Sequence, residues 1–384
     1  MKRATTWAAL GILLAAGAAA VEKQAPPKKP EDPDGPARRH IDLALCLDTS
    51  GSMRGLIESA KQKLWAVVNE LETARPRPLL RVALYQYGNS GLTRASGWVQ
   101  QLSPLTEDLD AVYGKLFPLR TNGGTEYVAR VVRAATQELE WDRGKGTLRM
   151  VFVAGNEAAT QDNQYPLQDT CKAAASRGVI VNTIFCGADS QGRSTGWLDA
   201  ARWADGQYAA IDQDRGTVVI NTPYDKELAD LSAKLNTTYL AYGRGGAGGK
   251  ARQMAMDRQA GSLSSSAAAE RAESKASGLY RAGQWDLVDA AKDGKVKLEA
   301  LAEADLPEPM KKLTPAERKA YVIEMAKRRA EIQKAIQALS VQRTGYVKKE
   351  MSRRGLNEKA SLDAALRSAA RTQAEKKGFE FEKK

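Results

Sequence analysis

Residues 41–52 read IDLALCLDTSGS, and this stretch decides the fold because a nearly continuous apolar run ends in polar residues. Such a run is typical of a strand that is covered on both faces of its sheet. Asp48, Ser50 and Ser52 then offer only oxygen atoms, at the strand end where open α/β sheets bind their ligands. Oxygen ligands suit a hard cation such as Mg²⁺ better than zinc or copper. The stretch therefore predicts a buried strand that leads into a cation site.

Apolar strand patterns alternate with helical patterns over residues 40–243. This alternation predicts an α/β domain of the Rossmann-like, doubly wound type, with a mainly parallel six-stranded sheet and helices on both faces. The predicted strands are Ile41–Leu47, Leu80–Tyr87, Trp98–Leu102, Leu148–Ala154, Val179–Phe185 and Gln207–Ile211. The predicted helices are Leu56–Thr73, Leu109–Leu116, Glu126–Glu140, Leu167–Ser176, Trp197–Trp203 and Lys226–Leu235.

A glycine-rich segment at residues 244–250 breaks this alternation and predicts a flexible hinge. It does not match a phosphate-binding loop, since Arg244 stands where that motif requires glycine and Ala251 where it requires Ser or Thr. Residues 251–384 follow as a basic helical arm that is low in strand-forming residues.

Two helices of this arm are expected to fold back on each other as a hairpin at about residues 314–378. The first begins at Thr314 with a capping box and is predicted to run to about Arg353, and the second is predicted at Leu362–Lys377. Residues recur every seven positions along the first helix, which is typical of a coiled-coil seam. The two rows are Met325, Ile332, Leu339 and Tyr346, and Val322, Arg329, Ile336 and Arg343, in which the arginines interrupt the apolar pattern.

The N-terminal residues have the pattern of a secretory leader. Lys2 and Arg3 precede an apolar stretch and an alanine-rich cleavage site, so residues 1–20 are predicted to be a signal peptide, with an uncleaved anchor as the alternative. Residues 21–39 have the composition of a Pro-rich linker. We therefore expect an exported protein, periplasmic or extracellular, whose mature chain has no transmembrane segment.

The three cysteines are expected to be free thiols, although export permits disulfides. Cys46 lies inside the first predicted strand. Cys171 and Cys186 lie on a helix and at the following strand's end, and their heights differ by about 13 Å, whereas a disulfide needs Cα atoms within about 7 Å.

A second polar loop, residues 121–126 with the sequence TNGGTE, comes just before a predicted helix. Together with the Asp-x-Ser-x-Ser loop it resembles the von Willebrand factor type A domain, over residues 41–243. That family carries a metal-ion-dependent adhesion site. The resemblance implies that Asp48, Ser50, Ser52 and Thr125 bind one divalent cation, Mg²⁺ or else Mn²⁺ or Ca²⁺.

Family members usually add an aspartate after the fourth strand, and this sequence departs from that pattern. Gly155 stands at the expected position and is followed by Asn156 and Glu157. Either Asn156 or Glu157 substitutes as a ligand, or the site has a single carboxylate. With one carboxylate the cation would be held weakly alone and would attract a partner's carboxylate strongly. The serines and threonine also have a plain structural interpretation, as caps of the next helix.

The resemblance implies a binding or adhesion protein that recognises an Asp or Glu of a protein partner through the cation. We expect no enzymatic activity and no catalytic residues, since the only histidine, His40, lies at the edge of the linker. Two alternatives remain open: a structural, oligomerising envelope protein with a vestigial metal site, and a metal-dependent hydrolase.

Positive charge is concentrated in the helical arm. Residues 244–384 hold 30 Lys and Arg against 19 Asp and Glu, and so carry nearly all of the formal net charge of +12. Such helix surfaces are commonly solvated; the functional alternative is binding to an anionic envelope surface or an acidic protein. Nucleic acid is not an expected partner, because no aromatic residues are interleaved as a stacking platform.

Overall fold

The computed structural model describes residues 39–211, 219–356 and 361–381. The predicted signal peptide at residues 1–20 and the linker up to residue 38 lie outside the described residues. All the described residues belong to one compact unit.

The α/β part is a six-stranded sheet in the order β4-β3-β1-β5-β6-β7, in which only β4 is antiparallel to its neighbour. This confirms the predicted fold class. The strands are β1 (His40–Asp48), β3 (Leu79–Tyr87), β4 (Val99–Thr106), β5 (Leu148–Gly155), β6 (Ile180–Cys186) and β7 (Tyr208–Ile211). A separate two-stranded ladder pairs β2 (Ala74–Arg75) with β8 (Glu380–Phe381), and the sequence predicted neither strand.

Twelve α-helices occur in the described residues. Those of the α/β part match the predicted helices to within a few residues at each end, apart from α5, which was not predicted. The helices are α1 (Arg54–Leu71), α2 (Leu109–Leu116), α3 (Val128–Glu138), α4 (Leu167–Ser176), α5 (Asp189–Ser194), α6 (Trp197–Trp203), α7 (Asp225–Asn236), α8 (Gly246–Leu263), α9 (Ser265–Ala276), α10 (Leu287–Lys292), α11 (Pro315–Arg353) and α12 (Leu362–Lys376). Single 3₁₀ turns lie at residues 51–53, 94–96, 298–300, 303–305 and 308–310.

Strand β1 is buried along almost its whole length because helices cover both faces of the sheet. On one face Leu45 and Leu47 pack in a core with residues of α1, α2 and α12. On the other face Cys46 packs in a core with residues of α3, α4 and α6. Because β1 lies between β3 and β5, its carboxyl end opens at the point where the strand order reverses, and open α/β sheets place their ligand sites there.

The helical arm docks on the α/β part. Helix α9 packs against α1, and α8 packs against α2. Their contact buries Arg271 of α9, whose guanidinium lies 2.6 Å from Asp110 of α2. Arg271 also bonds Asp257 of α8, and Asp257 in turn bonds the fully buried Lys275. Burial lowers the pKa of Lys275 to about 8, although Asp257 opposes this shift.

The predicted hinge is helical in the structure. Residues 246–250 form the start of α8, and Gly249 lies so close to the indole of Trp285 that a Cβ there would overlap the ring. Glycine is therefore needed at this position for close packing of the helix on Trp285, rather than for flexibility.

The two arm helices have the predicted bounds, but they do not form the predicted hairpin. Thr314 caps α11 with its capping box, and α12 begins after the N-cap Ser361. Helix α11 packs along α7 and α9, whereas α12 crosses to the sheet and packs on α1 and β5. The prediction was wrong because the apolar face of α12, with Leu362 and Leu366, completes the core of the sheet.

Other predictions from the sequence can be compared directly with the structure. Cys46, Cys171 and Cys186 are all free and buried, as predicted. Strand β4 runs on to Thr106, past the predicted end at Leu102, because an edge strand tolerates a proline, here Pro104. Within the described residues no helix combines the length and the apolar character that a membrane span requires.

Candidate metal centre

The loop after β1 is held at the carboxyl end of the sheet by hydrogen bonds to β3. The N–H of Thr49 donates to the carbonyl of Tyr87 at 2.9 Å, and the Thr49 hydroxyl donates to the same carbonyl at 3.1 Å. The N–H of Ser50 donates to Asp48 Oδ1 at 2.7 Å. The chain then enters a 3₁₀ turn whose Met53 is fully buried, so the loop is fixed at both ends.

The structure brings four of the predicted ligands together. Asp48 bonds Ser50 through the Ser50 N–H, and the hydroxyls of Ser50 and Ser52 lie 3.3 Å apart. The Ser52 hydroxyl also donates to Asn156 Oδ1 at 3.3 Å. Asp48 and Ser50 are buried, whereas Ser52 is exposed. The cluster is therefore open to solvent on the side of Ser52.

The second loop, residues 121–126, packs directly against the first. The N–H of Asn122 donates to the carbonyl of Thr49 at 3.0 Å. Gly124 lies against the backbone of Gly88, where any Cβ would overlap the Gly88 carbonyl. Thr125 is half-buried in this loop, and no hydrogen bond in the described part of the chain joins its side chain to Asp48, Ser50 or Ser52.

Asp48 is fully buried, and its Oδ2 atom has no hydrogen-bond partner among the described residues. Burial raises the pKa of Asp48 to about 7, against the opposing effect of the Ser50 hydrogen bonds. The negative charges of Glu126 and Glu157 raise this pKa further. A buried carboxylate in this position is costly unless a cation or a proton compensates it.

Gly155 explains why the aspartate typical of the family is missing here. A Cβ on Gly155 would lie 2.5 Å from the Tyr87 hydroxyl, 3.0 Å from Asp48 Oδ2 and 3.1 Å from the ring of Trp197. The Tyr87 hydroxyl donates to the carbonyl of Ala154 at 3.0 Å, so it is held in this place. A side chain at this position therefore requires Tyr87 to move away.

Asn156 and Glu157, the two residues after Gly155, differ in their exposure and in what their side chains contact. Asn156 is half-buried and reaches Ser52 through its side chain. Glu157 is exposed, and its carbonyl rather than its carboxylate is fixed, by a hydrogen bond of 2.7 Å from Trp197 Nε1. Of these two predicted substitutes, Asn156 is thus the one whose side chain contacts the predicted cluster.

Glu126 lies beside the candidate site and was not among the ligands predicted from the sequence. Its pKa is raised by burial and by the charge of Glu157, while hydrogen bonds with Ser50 and Gln161 lower it. A Cβ built on Gly88 would meet both Asp48 Oδ1 and Glu126 Cγ, so the Glu126 side chain lies beside Asp48. Its position directly after Thr125, on a loop that the sequence already assigned to the site, could have indicated it as a candidate.

The donor set fits a hard divalent cation. Asp48 Oδ2 is buried without a partner, and a connected set of hydroxyl and carboxamide oxygens from Ser50, Ser52 and Asn156 begins at the same residue. No group of three or more His, Cys, Asp or Glu side chains is placed to hold a metal in the part of the chain that the structure describes. The site is therefore an oxygen site with few charged ligands, of the kind that suits Mg²⁺ or Mn²⁺ better than a soft metal.

A series of aromatic and arginine side chains in mutual contact includes Tyr127, the residue directly after Glu126. The Trp98 carbonyl accepts from the N–H of Gly88, and the Trp98 ring lies 5.7 Å from that of Tyr127. The guanidinium of Arg130 lies 4.3 Å from the centre of the Tyr127 ring and also contacts Tyr165. Arg133 is exposed and lies over Tyr165. We call Trp98, Tyr127, Arg130, Arg133 and Tyr165 the aromatic rim.

Several solved structures resemble this chain. The conserved hypothetical protein BatB from Bacteroides thetaiotaomicron is 16% identical, and the match covers 45% of this chain and 90% of BatB at a TM-score of 0.36. The SpRpn10 VWA domain is 17% identical, with 47% of this chain and 100% of that domain covered at the same TM-score.

Proximal thread matrix protein 1 from the mussel byssus, in a structure with a zinc-occupied MIDAS motif, is 13% identical at a TM-score of 0.36. That match covers 46% of this chain and 43% of the mussel protein. Among the curated proteins none matches this chain.

The sequence model of the von Willebrand factor type A domain matches residues 42–194. This segment runs from the start of β1 to the end of α5 and includes both loops of the candidate metal centre. Residues 42–194 of this chain therefore form a von Willebrand factor type A domain.

Proposed function

We propose that this protein binds a divalent cation at Asp48, Ser50 and Ser52 and uses that cation to recognise a carboxylate of a protein partner. The domain belongs to a family that mediates protein interactions, which supports the general class of function. The cation, the partner and the mode of recognition are inferred from the site.

One observation carries this proposal: among the described residues, Asp48 is the buried acidic side chain that lacks a basic partner. The other buried carboxylates each face an arginine or lysine within 4 Å. The pairs are Asp42–Arg81, Asp110–Arg271, Asp162–Arg130, Asp225–Arg343, Asp286–Arg329, Asp363–Arg367 and Glu270–Lys63. A fold that compensates every other buried carboxylate with its own side chains supports an external cation at Asp48.

The surroundings of the site support a protein as the partner. Ser52 is exposed, so a cation bound beside it keeps a face that an incoming carboxylate can reach. The aromatic rim adds tryptophan, tyrosine and arginine, which are the residue types that contribute most to binding energy in protein interfaces.

A hydrolytic role has less support. His40 stands at the opposite end of β1 from Asp48, and its Nδ1 lies 4.0 Å from Asp142, so it does not face the cluster. The described residues around Asp48 offer carboxylates with raised pKa values, but no second acid cluster that would hold another metal.

The basic arm supports binding to an anionic surface less than its net charge suggests. Arg271, Lys275, Arg329 and Arg343 are buried in ion pairs and cannot reach a surface. Exposed basic residues of α11 such as Arg328 alternate with acidic ones, and Arg328 pairs with Glu324.

Export is proposed from the leader pattern at residues 1–20, and N-terminal sequencing of the protein purified from its cells tests it.

Thermal unfolding of the full chain, in EDTA and in millimolar Mg²⁺ or Mn²⁺, tests the cation site. A cation at 100 times its dissociation constant adds about 2.7 kcal/mol to the unfolding free energy. We expect this gain in the wild type and its loss in Asp48→Asn.

Asp42→Asn is the matched control, because Asp42 lies on the same strand and is equally buried but faces Arg81. It should lower stability in EDTA and keep the gain from the cation. Equal gains in Asp48→Asn and the wild type would show that any cation binds elsewhere.

A further inference from the structure

We propose that Glu126 supplies the second carboxylate of the cation site, in place of the residue that follows β5. This inference rests on the proposed function, because it takes a cation at Asp48 as given. Asp48 and Glu126 would then approach the cation from two different loops, with Ser50 between them.

The β5 side of the site is closed by two side chains that are held in place. The Tyr87 hydroxyl occupies the space above Gly155 and donates to the carbonyl of Ala154. The Trp197 ring closes the same space, and its Nε1 donates to the carbonyl of Glu157. Because both groups are fixed by hydrogen bonds, position 155 itself is a poor place for a second carboxylate, which has to come from elsewhere.

Glu126 lies where such a carboxylate is needed. A Cβ built on Gly88 would meet Asp48 Oδ1 at 2.8 Å and Glu126 Cγ at 2.9 Å, so both side chains border the same point. Gly88 has a φ of +75°, a conformation that favours glycine, and its missing side chain leaves the space in which they approach each other.

The backbone around Glu126 is fixed before any cation binds. The N–H of Asn122 bonds the carbonyl of Thr49, and Asn89 Nδ2 donates to the carbonyls of Thr49 and Arg120. Gly124 is packed against Gly88. Glu126 therefore projects from a loop whose position relative to Asp48 is set by at least three hydrogen bonds, and ordering it costs little when the cation arrives.

Glu157 is the other acidic residue whose charge acts on Asp48, and its placement differs. It is exposed, whereas Glu126 is half-buried and borders the same point beside Gly88 as Asp48 Oδ1. A half-buried carboxylate beside Asp48 is a better ligand candidate than a solvated one. Two carboxylates also balance the charge of a divalent cation, so the site would hold its cation before a partner arrives. A partner carboxylate would then be an added, exchangeable ligand.

Calorimetric titration of the full chain with Mn²⁺ tests this inference, using wild type, Glu126→Gln, Glu157→Gln and Asp48→Asn. Glutamine keeps the size of the Glu126 side chain, but it removes the charge. We expect Glu126→Gln to raise the dissociation constant by about 10- to 100-fold, in the range found when groups that support a metal are removed. The change in Glu157→Gln should be smaller than threefold.

A second variant separates ligation from a general charge effect. Glu126→Asp keeps the negative charge and withdraws the carboxylate by one methylene, so it should also weaken Mn²⁺ binding if Glu126 is a ligand. Circular dichroism in EDTA checks that each variant is folded.

The outcomes distinguish the two proposals. Wild-type affinity in both Glu126 variants, with a loss in Asp48→Asn, would overturn the role of Glu126 and leave the cation site intact. No Mn²⁺ binding by the wild type at millimolar concentrations would overturn the proposed function itself.

Discussion

The carboxyl end of β1 and the helical arm both bury charged side chains, but they compensate them differently. In the arm, Arg329 bonds Asp286, Asp289 and Thr238, and its guanidinium lies 3.9 Å from the centre of the Tyr239 ring. At the sheet, Asp48 has an oxygen without a partner, and the charged groups that act on it are the acids Glu126 and Glu157. The arm's charges are satisfied within the chain, whereas the charge of Asp48 remains available to a ligand.

This difference separates residues that stabilise the fold from residues that prepare a site. A buried ion pair contributes little net stability, but removing one partner is expensive because the other charge stays behind. Asp48 is already a buried acidic side chain without a basic partner, which is the state that such a removal creates. Two kinds of change test this difference: removing the partner of a buried acid in the arm, and altering the surroundings or the protonation of Asp48 at the sheet.

The largest effect is expected from Arg329→Met, which leaves Asp286 fully buried without its partner. Loss of one partner of a buried pair costs about 3–5 kcal/mol, so the midpoint of urea unfolding should fall accordingly. Arg328→Met is the matched control, because Arg328 is exposed and pairs only with Glu324 on the same helix. That pair should contribute less than about 1 kcal/mol. Similar losses of stability in the two variants would show that the buried Arg329 pair matters no more to stability than the exposed Arg328 pair.

A smaller loss is expected from Gly155→Asp, which restores the aspartate typical of the family. The new side chain would collide with the Tyr87 hydroxyl and place a second carboxylate against Asp48 Oδ2. We expect a loss of about 3 kcal/mol in the unfolding free energy, the upper end of the range for overpacking. Urea unfolding measures it.

Two further variants sharpen this result. Gly123→Ala should change stability by less than about 0.5 kcal/mol, because a Cβ there meets no atom within 4 Å. Adding Tyr87→Phe to Gly155→Asp removes the colliding hydroxyl and should recover part of the loss. No recovery would mean that Trp197 or Asp48, rather than Tyr87, excludes a side chain at this position.

The smallest effect is expected from pH in the absence of metal. The pKa of Asp48 is raised to about 7 in the folded protein, so the folded state keeps a proton that the unfolded state has lost. This contribution to stability is complete at acid pH and disappears as the pH rises through 7. Between pH 5 and pH 7 the loss should be about 2 kcal/mol.

Unfolding in urea with EDTA, at several pH values, isolates this contribution as the difference between wild type and Asp48→Asn. Saturating Mn²⁺ should reverse the trend, since a cation favours the ionised carboxylate and binds better as the pH rises. Parallel curves for the two proteins would show that Asp48 is ionised throughout this range.

Local sequence signals predicted the elements of this protein well. The apolar run of β1 and the alternation after it gave all six strands of the large sheet. The cap of α11 was also predicted, because Thr314 acts within one turn of its own helix. Ser361 caps α12 in the same local way, and Gly355 and Gly378 adopt a positive φ beyond the ends of the two helices.

Features that depend on distant residues were not predictable in the same way. Arg329 and Arg343 looked like interruptions of an apolar row, yet each is buried against an aspartate 43 or more positions away in the sequence. The destination of α12 depends on which face of the sheet is still uncovered. The reason for Gly155 is the Tyr87 hydroxyl of another strand, and Glu126 has a role only because Gly88 leaves space beside Asp48.

The return of α12 to the sheet has a consequence for the order in which the protein can fold during its synthesis. Leu362 and Leu366 of α12 share a core with Leu45 and Leu47 of β1, more than 300 positions earlier in the chain. Arg39 donates to the carbonyl of Lys377 at 2.7 Å, which adds a second connection between the same distant segments. A ribosome must therefore complete nearly the whole chain before this face of the sheet can be covered. Until then the nascent protein exposes apolar strands, so its folding will depend on a chaperone or on rapid completion of the chain.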